Sequence, residues 1–533
     1  MSGRRVSALP FAISALAATV LLVVIVVAVL LSPDSDTTTN SLVNAPTSLE
    51  SCAAFGVVRR SCDGSDHETQ HWRGTARSNF LYLAPRSTPE QLAARPNARV
   101  VSNALCAQPP HVGKSVVWSS LIWSFGQFLD HAITRVAQSQ NAEDAVHINV
   151  TGDSTFDPLS EGAEIASGGV LPHNLITHFV DGNVLYGSDV DTLVSLRAWE
   201  GGRLSMHEDA LPPQAEGGGA RRVGDVRGNE HPVLLALHTL LVLEHNYQAG
   251  RLATGHPTWN DECLFNAART IVESEVRHIV FSDFVPALLG EQLPPPAFNG
   301  SCHVEIAAEF AGSAYRLHSL VSEALPAYNT ESGEHIESLA LKNAFDKNDF
   351  LEKHGVGALL LGQVKTKSEK LDLHMVDSLR QHLFPGAGVP LDLAAINIER
   401  GRRLNLSDFS ALRKAYRPDV GHLDKWADLG ASASVETELR AHYSSYRNID
   451  SWVGLHAETV PDGERLPPTL KAVLREQFLR LRDCDPMYFK EPRTGVDRAY
   501  VNAHGSLRSI LLRNTDIAES LLPGADHSLF EQA

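Results

Sequence analysis

The chain carries little positive charge for its size. It has 46 Lys and Arg residues against 63 Asp and Glu residues, which gives 533 residues a formal net charge of −17. Nucleic acids and anionic membrane surfaces are polyanions that attract basic proteins, so the charge predicts no nucleic-acid partner. Hydrophobic residues make up 43% of the chain and charged residues 20%, a balance typical of a folded protein with a large core.

Alternating polar and apolar runs are scarce, and the chain has no internal repeat. Long apolar segments without Gly or Pro, at 234–245, 270–281 and 470–481, instead predict helices. His238 and His245 lack the H-E-x-x-H spacing that places two imidazoles on adjacent turns, so a zinc site on that helix is not expected. The sequence therefore predicts a mainly α-helical protein.

Cysteines are few. An even number of six permits three disulfides in an oxidising compartment. Cys52 and Cys62 are close enough in sequence to close a local loop, whereas Cys484 is expected to be a free buried thiol.

Only one hydrophobic run is long enough to cross a bilayer, at residues 8–31. Arg4 and Arg5 precede it, and acidic residues follow it, so the positive-inside rule places residues 1–7 in the cytoplasm. The run exceeds a usual signal-peptide core, which favours an uncleaved signal anchor over a cleaved peptide that would leave the protein secreted. Either interpretation sends the remaining chain to an extracellular or lumenal space.

Residues 32–58 are rich in Ser, Thr, Asp and Asn and predict a linker, followed by one large domain at 59–533. Three N-x-S/T sequons agree with export and predict a glycoprotein; they begin at Asn149, Asn299 and Asn405.

Two segments carry polar residues where apolar ones are expected. The apolar run 121–131 contains Gln127, Asp130 and His131, which share one face of a helix. A buried polar group is unfavourable unless it is paired, so the trio has no simple structural explanation. The segment 224–230 adds Arg227 and Glu230. A base, an amide, an arginine and two carboxylates together can line a polar pocket over a cofactor.

These segments resemble the distal haem side of the animal-type haem peroxidases, a family that includes peroxinectins and the mammalian leukocyte enzyme. The family's distal helix reads roughly W-G-Q-F-L-D-H-D, and residues 123–132 read W-S-F-G-Q-F-L-D-H-A. Its arginine segment reads G-D-x-R-x-x-E-x-P, and residues 224–232 read G-D-V-R-G-N-E-H-P. Its motif L-D-L-x-A-x-N-I-x-R-G-R matches residues 391–402. The resemblance implies a single large helical haem-peroxidase domain, behind the transmembrane segment predicted above.

The resemblance implies an enzyme that reduces hydrogen peroxide and oxidises a small donor, such as a halide or a phenol, through a ferryl intermediate of haem b. His131 would move the peroxide proton, and Arg227 would stabilise charge on the leaving oxygen. Gln127 would orient distal water or substrate. Asp130 and Glu230 match the two carboxylates that form ester bonds to haem in the mammalian members.

On the proximal side, the resemblance implies that His318 is the axial iron ligand and that Asn397 accepts the N–H of its imidazole. Arg316 is expected to bind the cofactor. His231 stands where the leukocyte enzyme has a methionine bonded to the haem, so that link is expected to be absent.

The proximal motif also supports an alternative. The usual peroxidase motif F-R-F-G-H has arginine three residues before the histidine, but this chain has Tyr315 there. The arrangement resembles the fatty-acid α-dioxygenases and prostaglandin synthases, in which such a tyrosine becomes the oxidising radical. Tyr315 therefore predicts either a haem-dependent fatty-acid dioxygenase or simple packing beside the haem. A non-catalytic adhesion protein is a third alternative, favoured only if His131, Arg227 or His318 were missing.

The sequence also predicts a calcium site, in which one of the family's ligands is missing. The sequence T-H-F-V-D-G-N at 177–183 resembles the family's calcium loop T-x-F-x-D-x-S. Thr177, Phe179 through its carbonyl, Asp181 and Asn183 occupy the ligand positions, and oxygen ligands suit calcium. The family's remaining ligand is an aspartate directly after the distal histidine, where this chain has Ala132.

Overall fold

The regular secondary structure is mainly helical, as predicted. The computed structural model describes residues 60–65, 73–109, 113–139, 146–149, 164–167, 169–384, 391–489 and 498–532. The α-helices are α1 (Pro89–Ala93), α2 (Ala98–Leu105), α3 (Leu121–Ile133), α4 (Asn183–Tyr186), α5 (Val190–Leu196), α6 (Pro232–Gly255), α7 (Asp261–Ile279), α8 (Val285–Leu289), α9 (Asp349–Lys365), α10 (Asp377–Arg380), α11 (Leu393–Arg403), α12 (Phe409–Tyr416), α13 (Ala433–His442), α14 (Ser451–Ala457), α15 (Pro468–Asp483), α16 (Pro486–Phe489), α17 (Arg498–His504) and α18 (Leu507–Asn514).

The strands are short and form two-stranded antiparallel ladders. β1 pairs with β4, β2 with β3, and β5 with β6. Their bounds are β1 (Val136–Ser139), β2 (Val146–Asn149), β3 (Glu164–Ser167), β4 (Gly169–Asn174), β5 (Ala324–Tyr328) and β6 (His335–Ala340).

Helix α3 runs through the core. All of its residues except Gly126 and Gln127 are buried, because apolar side chains cover nearly its whole circumference. It packs against the long helix α6, which also packs against α7 and α9. The N-terminus of α6 is capped by His231, whose Nδ1 accepts the Leu234 N–H at 3.2 Å, and Pro232 follows at the first helical position.

On the other side of α3 lies an irregular segment. A π-helix at Phe310–Ala314 leads through Tyr315 into a short 3₁₀ turn at His318–Leu320. Helix α11 packs against the π-helix and against α2. Its N-terminal residue Asp392 caps it and also forms a buried ion pair with Arg99 at 2.5 Å. This pair fixes the start of the helix that carries Asn397.

Two expectations about cysteine were wrong. Cys484 forms a disulfide with Cys302, with the Cα atoms 5.4 Å apart, so it is not a free thiol. Cys62 is a free buried cysteine, so it does not close a loop with Cys52, which lies outside the described residues. The pairing depends on spatial proximity: the end of α15 meets the turn at 299–302 through a hydrogen bond from the Asn299 N–H to the Asp483 carbonyl at 2.8 Å.

The predicted anchor at 8–31 and the predicted linker at 32–58 lie outside the described residues. Within the part of the chain that is described, no helix is both long enough and apolar enough to span a bilayer.

Candidate active site

Four polar side chains lie close together between α3 and the start of α6. They belong to Gln127, His131, Glu230 and His231. The Gln127 amide donates from Nε2 to Oε2 of Glu230 at 2.7 Å, and His231 Nε2 lies 2.9 Å from Gln127 Oε1. His131, one turn further along α3, has its Nε2 atom 3.9 Å from the same Glu230 oxygen. The structure therefore brings together the predicted base, amide and carboxylate.

His231 fixes the orientation of Gln127. Its Nδ1 accepts the Leu234 N–H, so its proton must be on Nε2, from which it donates to Gln127 Oε1. Burial lowers the pKa of His231 to about 3, so the ring stays neutral. Sequence reasoning noted His231 only as a missing link to haem. A histidine before the proline that starts a helix was the available signal for its capping role.

Arg227 is anchored to the C-terminal end of α3. Its Nη1 donates to the Thr134 carbonyl at 3.0 Å, and its Nη2 donates to the carbonyl of His131 at 3.2 Å. Its Nε and Nη2 also donate to both oxygens of Asp225, at 2.8 and 2.7 Å. Burial alone would raise the pKa of Asp225, but Arg227 outweighs it and holds that pKa well below its ordinary value. Sequence reasoning gave Asp225 no role, although it belongs to the same motif.

The electrostatics keep the His131 imidazole neutral. Burial, reinforced by Arg227, lowers the pKa of His131 well below its ordinary value. The Nδ1 atom of His131 is buried without a hydrogen-bond partner among the described residues. Burial also raises the pKa of Glu230 to about 7, although Arg227 opposes the shift. A neutral imidazole beside a carboxyl group that titrates near neutrality can exchange a proton with a bound molecule.

Asp130 points away from this chain of hydrogen bonds. Its Oδ1 accepts from the Thr134 hydroxyl at 2.5 Å, and its Oδ2 accepts from Nη1 of Arg316 at 2.9 Å. Arg316 also donates from Nε to the Ala311 carbonyl at 2.7 Å. Both oxygens of Asp130 are thus engaged in a buried ion pair and a hydrogen bond.

His318, the expected axial ligand, has a hydrogen-bond partner at only one of its two ring nitrogens. The amide of Asn397 lies 2.8 Å from Nδ1 of His318, and Nε2 has no hydrogen-bond partner among the described residues. The atom of Asn397 that faces Nδ1 is its amide nitrogen, Nδ2. An amide turned over, with its oxygen accepting the Nδ1 proton, would leave Nε2 a lone pair for a metal. Burial lowers the pKa of His318 well below its ordinary value, so the ring is neutral as ligation requires.

Arg400 was missed by sequence reasoning, although it lies in the matched motif at 391–402. Its Nη1 donates to Asn397 Oδ1 at 3.3 Å. Burial, together with the nearby charge of Arg316, lowers the pKa of Arg400 to about 9. A partly buried cation with so little hydrogen bonding is suited to a carboxylate brought in by a ligand. His318, Arg400 and the polar groups around His131 therefore fit a haem, which carries an iron and two carboxylates.

Tyr315 lies in an aromatic cluster. Its ring stacks on Phe310 with centroids 4.8 Å apart and meets Phe478 edge-on at 5.6 Å. A Cβ atom added to Gly126 would lie 3.8 Å from its hydroxyl oxygen, so the hydroxyl faces α3. That hydroxyl is buried without a hydrogen-bond partner in the described structure, and burial raises its pKa well above the ordinary value.

Side chains of the predicted calcium loop, at residues 177–183, form hydrogen bonds with one another. The Thr177 hydroxyl donates to Asp181 Oδ2 at 2.7 Å, and Asn183 Nδ2 donates to Asp181 Oδ1 at 3.0 Å. Phe179 is fully buried. An N–H donor thus lies where a cation would require an oxygen, so the loop in this arrangement does not fit calcium. No group of three or more His, Cys, Asp or Glu residues in the described ranges is placed to hold a metal ion.

A model of the family described as animal haem peroxidase matches residues 59–525. This chain belongs to the animal haem peroxidase family. Peroxinectin A of Dictyostelium discoideum is 28% identical over 439 residues, which cover 74% of this chain and 81% of that protein. Peroxidase skpo-1 of Caenorhabditis elegans is 30% identical over 480 residues, which cover 84% of this chain and 71% of that protein. The resemblance found in the motifs is confirmed.

Solved structures agree on the fold. Peroxidase A from Dictyostelium discoideum superposes with a TM-score of 0.80 at 25% identity, over 89% of this chain and 100% of that one. A fatty acid alpha-dioxygenase from Oryza sativa superposes with a TM-score of 0.75 at 19% identity, over 89% of this chain and 87% of that one, which is a likeness of fold alone. Family and relatives together identify this protein as a haem peroxidase that acts on hydrogen peroxide with a reducing substrate.

Proposed function

We propose that this peroxidase cleaves hydrogen peroxide with His131 as base and Arg227 as the group that stabilises charge, and that it oxidises a small donor such as a halide or a phenol. One observation carries the assignment. The guanidinium of Arg227 donates to the carbonyl of His131, which ties the cation to the turn of α3 that carries a buried, neutral imidazole.

Each side chain has a distinct part. Haem supplies the iron that binds peroxide and takes up the oxidising equivalents. His318 would hold that iron, and Asn397 would keep the proton on Nδ1 of its ring. His131 removes a proton from one peroxide oxygen and returns it to the other, which leaves as water. Arg227 stabilises the negative charge on that leaving oxygen, and Gln127, held by His231, orients the distal water or substrate.

Haem attachment is proposed to involve Glu230 more than Asp130. Glu230 has one oxygen, Oε1, that accepts no hydrogen bond from the described residues, and its side chain is 26% exposed. An ester at Asp130 would remove its negative charge and leave the buried Arg316 without its counter-ion. After peroxide turnover, acid–organic extraction should leave haem on the wild type and on Asp130→Asn. Glu230→Gln should release it completely; retention of haem by that variant would contradict the proposal.

The catalytic domain is proposed to lie outside the cytosol, held at the membrane by residues 8–31 or secreted. The Cys302–Cys484 disulfide supports this location, because structural disulfides persist in oxidising compartments. Fractionation of expressing cells tests it. A protein in membranes that resists alkaline extraction is anchored, and one in the medium is secreted. A chain recovered only from the cytosol would contradict both.

A fatty-acid dioxygenase remains the second candidate. The observation in its favour is Tyr315, whose hydroxyl is buried and unpaired, as a residue that forms a radical needs to be shielded from water. The peroxidase is favoured because the His131 imidazole lies 3.9 Å from Glu230, which also accepts from Gln127, and because Arg227 donates to the His131 carbonyl.

One pair of assays separates the two activities. Haem-loaded protein is given peroxide with a phenolic donor, and separately oxygen with a polyunsaturated fatty acid, while donor oxidation and oxygen uptake are recorded. The peroxidase predicts donor oxidation that Tyr315→Phe leaves nearly intact, as should the control Tyr328→Phe. Oxygen uptake by the wild type that is abolished in Tyr315→Phe but not in Tyr328→Phe would establish the dioxygenase instead.

A further inference from the structure

Three oxygen atoms converge on the side-chain nitrogen of Asn183. They belong to the Ala132 carbonyl at 2.5 Å, the Thr177 hydroxyl at 2.8 Å and the Asp181 carboxylate at 3.0 Å. All three residues are buried, and so is Asn183. Three acceptors that face one point require either hydrogen-bond donors or a cation there, since mutually facing oxygens repel.

The small number of negative charges around this position favours the Asn183 amide over a calcium ion. A calcium site usually gathers several carboxylate or carbonyl oxygens, and affinity rises with the number of charged ligands. Asp181 supplies the only carboxylate among these groups, because Ala132 places a buried methyl group directly after His131. The Thr177 hydroxyl already donates to Asp181 Oδ2, so its lone pair accepts from Asn183. The side-chain nitrogen of Asn183 therefore serves all three oxygens, while its Oδ1 atom is buried without a hydrogen-bond partner among the described residues.

A permanent cation already lies against the loop. The guanidinium carbon of Arg60 is 3.4 Å from the centroid of the Phe179 ring, and Arg60 also forms a buried ion pair with Asp485. Phe179 is the residue whose carbonyl would complete a calcium site. A second, divalent charge beside this guanidinium would be repelled.

We infer that the Asn183 amide takes the place of a divalent cation, so that this peroxidase anchors its distal helix without calcium. The amide joins the loop at 177–183 to the carbonyl of Ala132, which is adjacent to His131 in α3. The inference concerns metal content and stability and does not depend on the proposed roles in catalysis.

Metal analysis of the full-length, haem-loaded protein tests the inference. Protein purified without chelator should contain far less than one calcium per chain, with iron from haem as the internal reference. Its melting temperature should be the same in EDTA and in millimolar calcium chloride. Stoichiometric calcium, or a melting temperature that falls in EDTA, would overturn the inference.

Replacing Asn183 by Asp should convert the loop at 177–183 into a calcium site, which gives a second test. Asn183→Asp removes the donor and places a second carboxylate beside Asp181, so its melting temperature should fall in EDTA and recover by several degrees in calcium. Asn246→Asp is the matched control. Asn246 also bridges two backbone groups, at 2.8 and 3.0 Å from Leu204, but far along the chain from the loop.

The control should lose stability equally with and without calcium. A calcium response in Asn246→Asp as large as that in Asn183→Asp, or its absence from Asn183→Asp, would show that the amide does not occupy the position of a cation.

Discussion

Asp130 and Arg316 form a buried ion pair, with Oδ2 and Nη1 2.9 Å apart and both side chains about 10% exposed. The pair joins α3, which carries His131, to the segment that carries His318. It therefore links the two sides of the proposed haem site through protein rather than through the cofactor. Breaking a buried pair by removing one partner leaves an uncompensated charge, which is unfavourable in a medium of low polarity.

Arg316→Met should therefore lower the free energy of unfolding by about 3–5 kcal/mol, because Asp130 stays buried without its partner. Denaturant unfolding of the haem-loaded protein measures the loss. Adding Asp130→Asn should recover part of it, so a double-mutant cycle should give a coupling of more than about 1 kcal/mol. The exposed pair Arg440–Glu436, with nitrogen and oxygen 2.6 Å apart, serves as the control and should couple by less than about 1 kcal/mol. Equal coupling in the two pairs would refute the role given to Arg316.

The reaction with peroxide should keep its rate well below pH 6.5. His131 must be neutral to accept a proton, and burial with Arg227 lowers its pKa below that ordinary value. Stopped-flow rates measured from pH 8 downward should therefore decline only in the acid range. Arg227→Gln removes the second of the two causes, so it should slow the reaction and also move the decline to higher pH. A decline centred at or above pH 6.5 in the wild type would contradict the neutral base.

His231 should act as a positioning residue for Gln127. His231→Leu loses the cap of α6 and the bond to Gln127, so it should lower stability by about 1–2 kcal/mol and also slow the peroxide reaction. His231→Asn separates the effects, because asparagine caps helices well but is too short to replace the bond to Gln127. It should restore stability and leave the peroxide reaction slow. Full recovery of the rate would show that His231 only caps the helix.

The Cys302–Cys484 disulfide closes a loop over 182 residues. Its removal enlarges the unfolded ensemble, so Cys302→Ser with Cys484→Ser should lower stability by about 2–5 kcal/mol. Thermal unfolding with and without reductant measures this. Reductant should destabilise the wild type more than the double variant, which keeps the disulfide of Cys263. A reductant effect of equal size in both would mean that another bond is responsible.

The sequence predicted the helical class, and its motifs marked His131, Arg227 and Glu230, whose roles stay predictions. His131 lies in α3, and Arg227 and Glu230 lie three residues apart at a separate short turn, so local spacing predicts each group but not how the two meet. It did not predict contacts between distant segments. Asp130 meets Arg316 across 186 residues, and Cys484 meets Cys302 across 182. Such pairs depend on how helices pack, which local patterns do not determine.

The orientation of side chains also could not be predicted from the sequence. The substitution of Ala132 for an aspartate suggested a weakened calcium loop, but not that the Asn183 amide would turn inward to satisfy the remaining oxygens. His231 likewise looked like a lost haem link, because its bond to Gln127 depends on the angle at which α6 meets α3.

The most direct test of the account is the rate at which the haem-loaded protein changes its Soret absorption after mixing with hydrogen peroxide. Wild type and His131→Ala are compared by stopped flow under identical conditions, with His374→Ala, a partly exposed histidine, as the control. Loss of a general acid–base group should slow the reaction at least about 100-fold in His131→Ala and leave the control unchanged. A rate in His131→Ala within a few-fold of wild type would contradict the account.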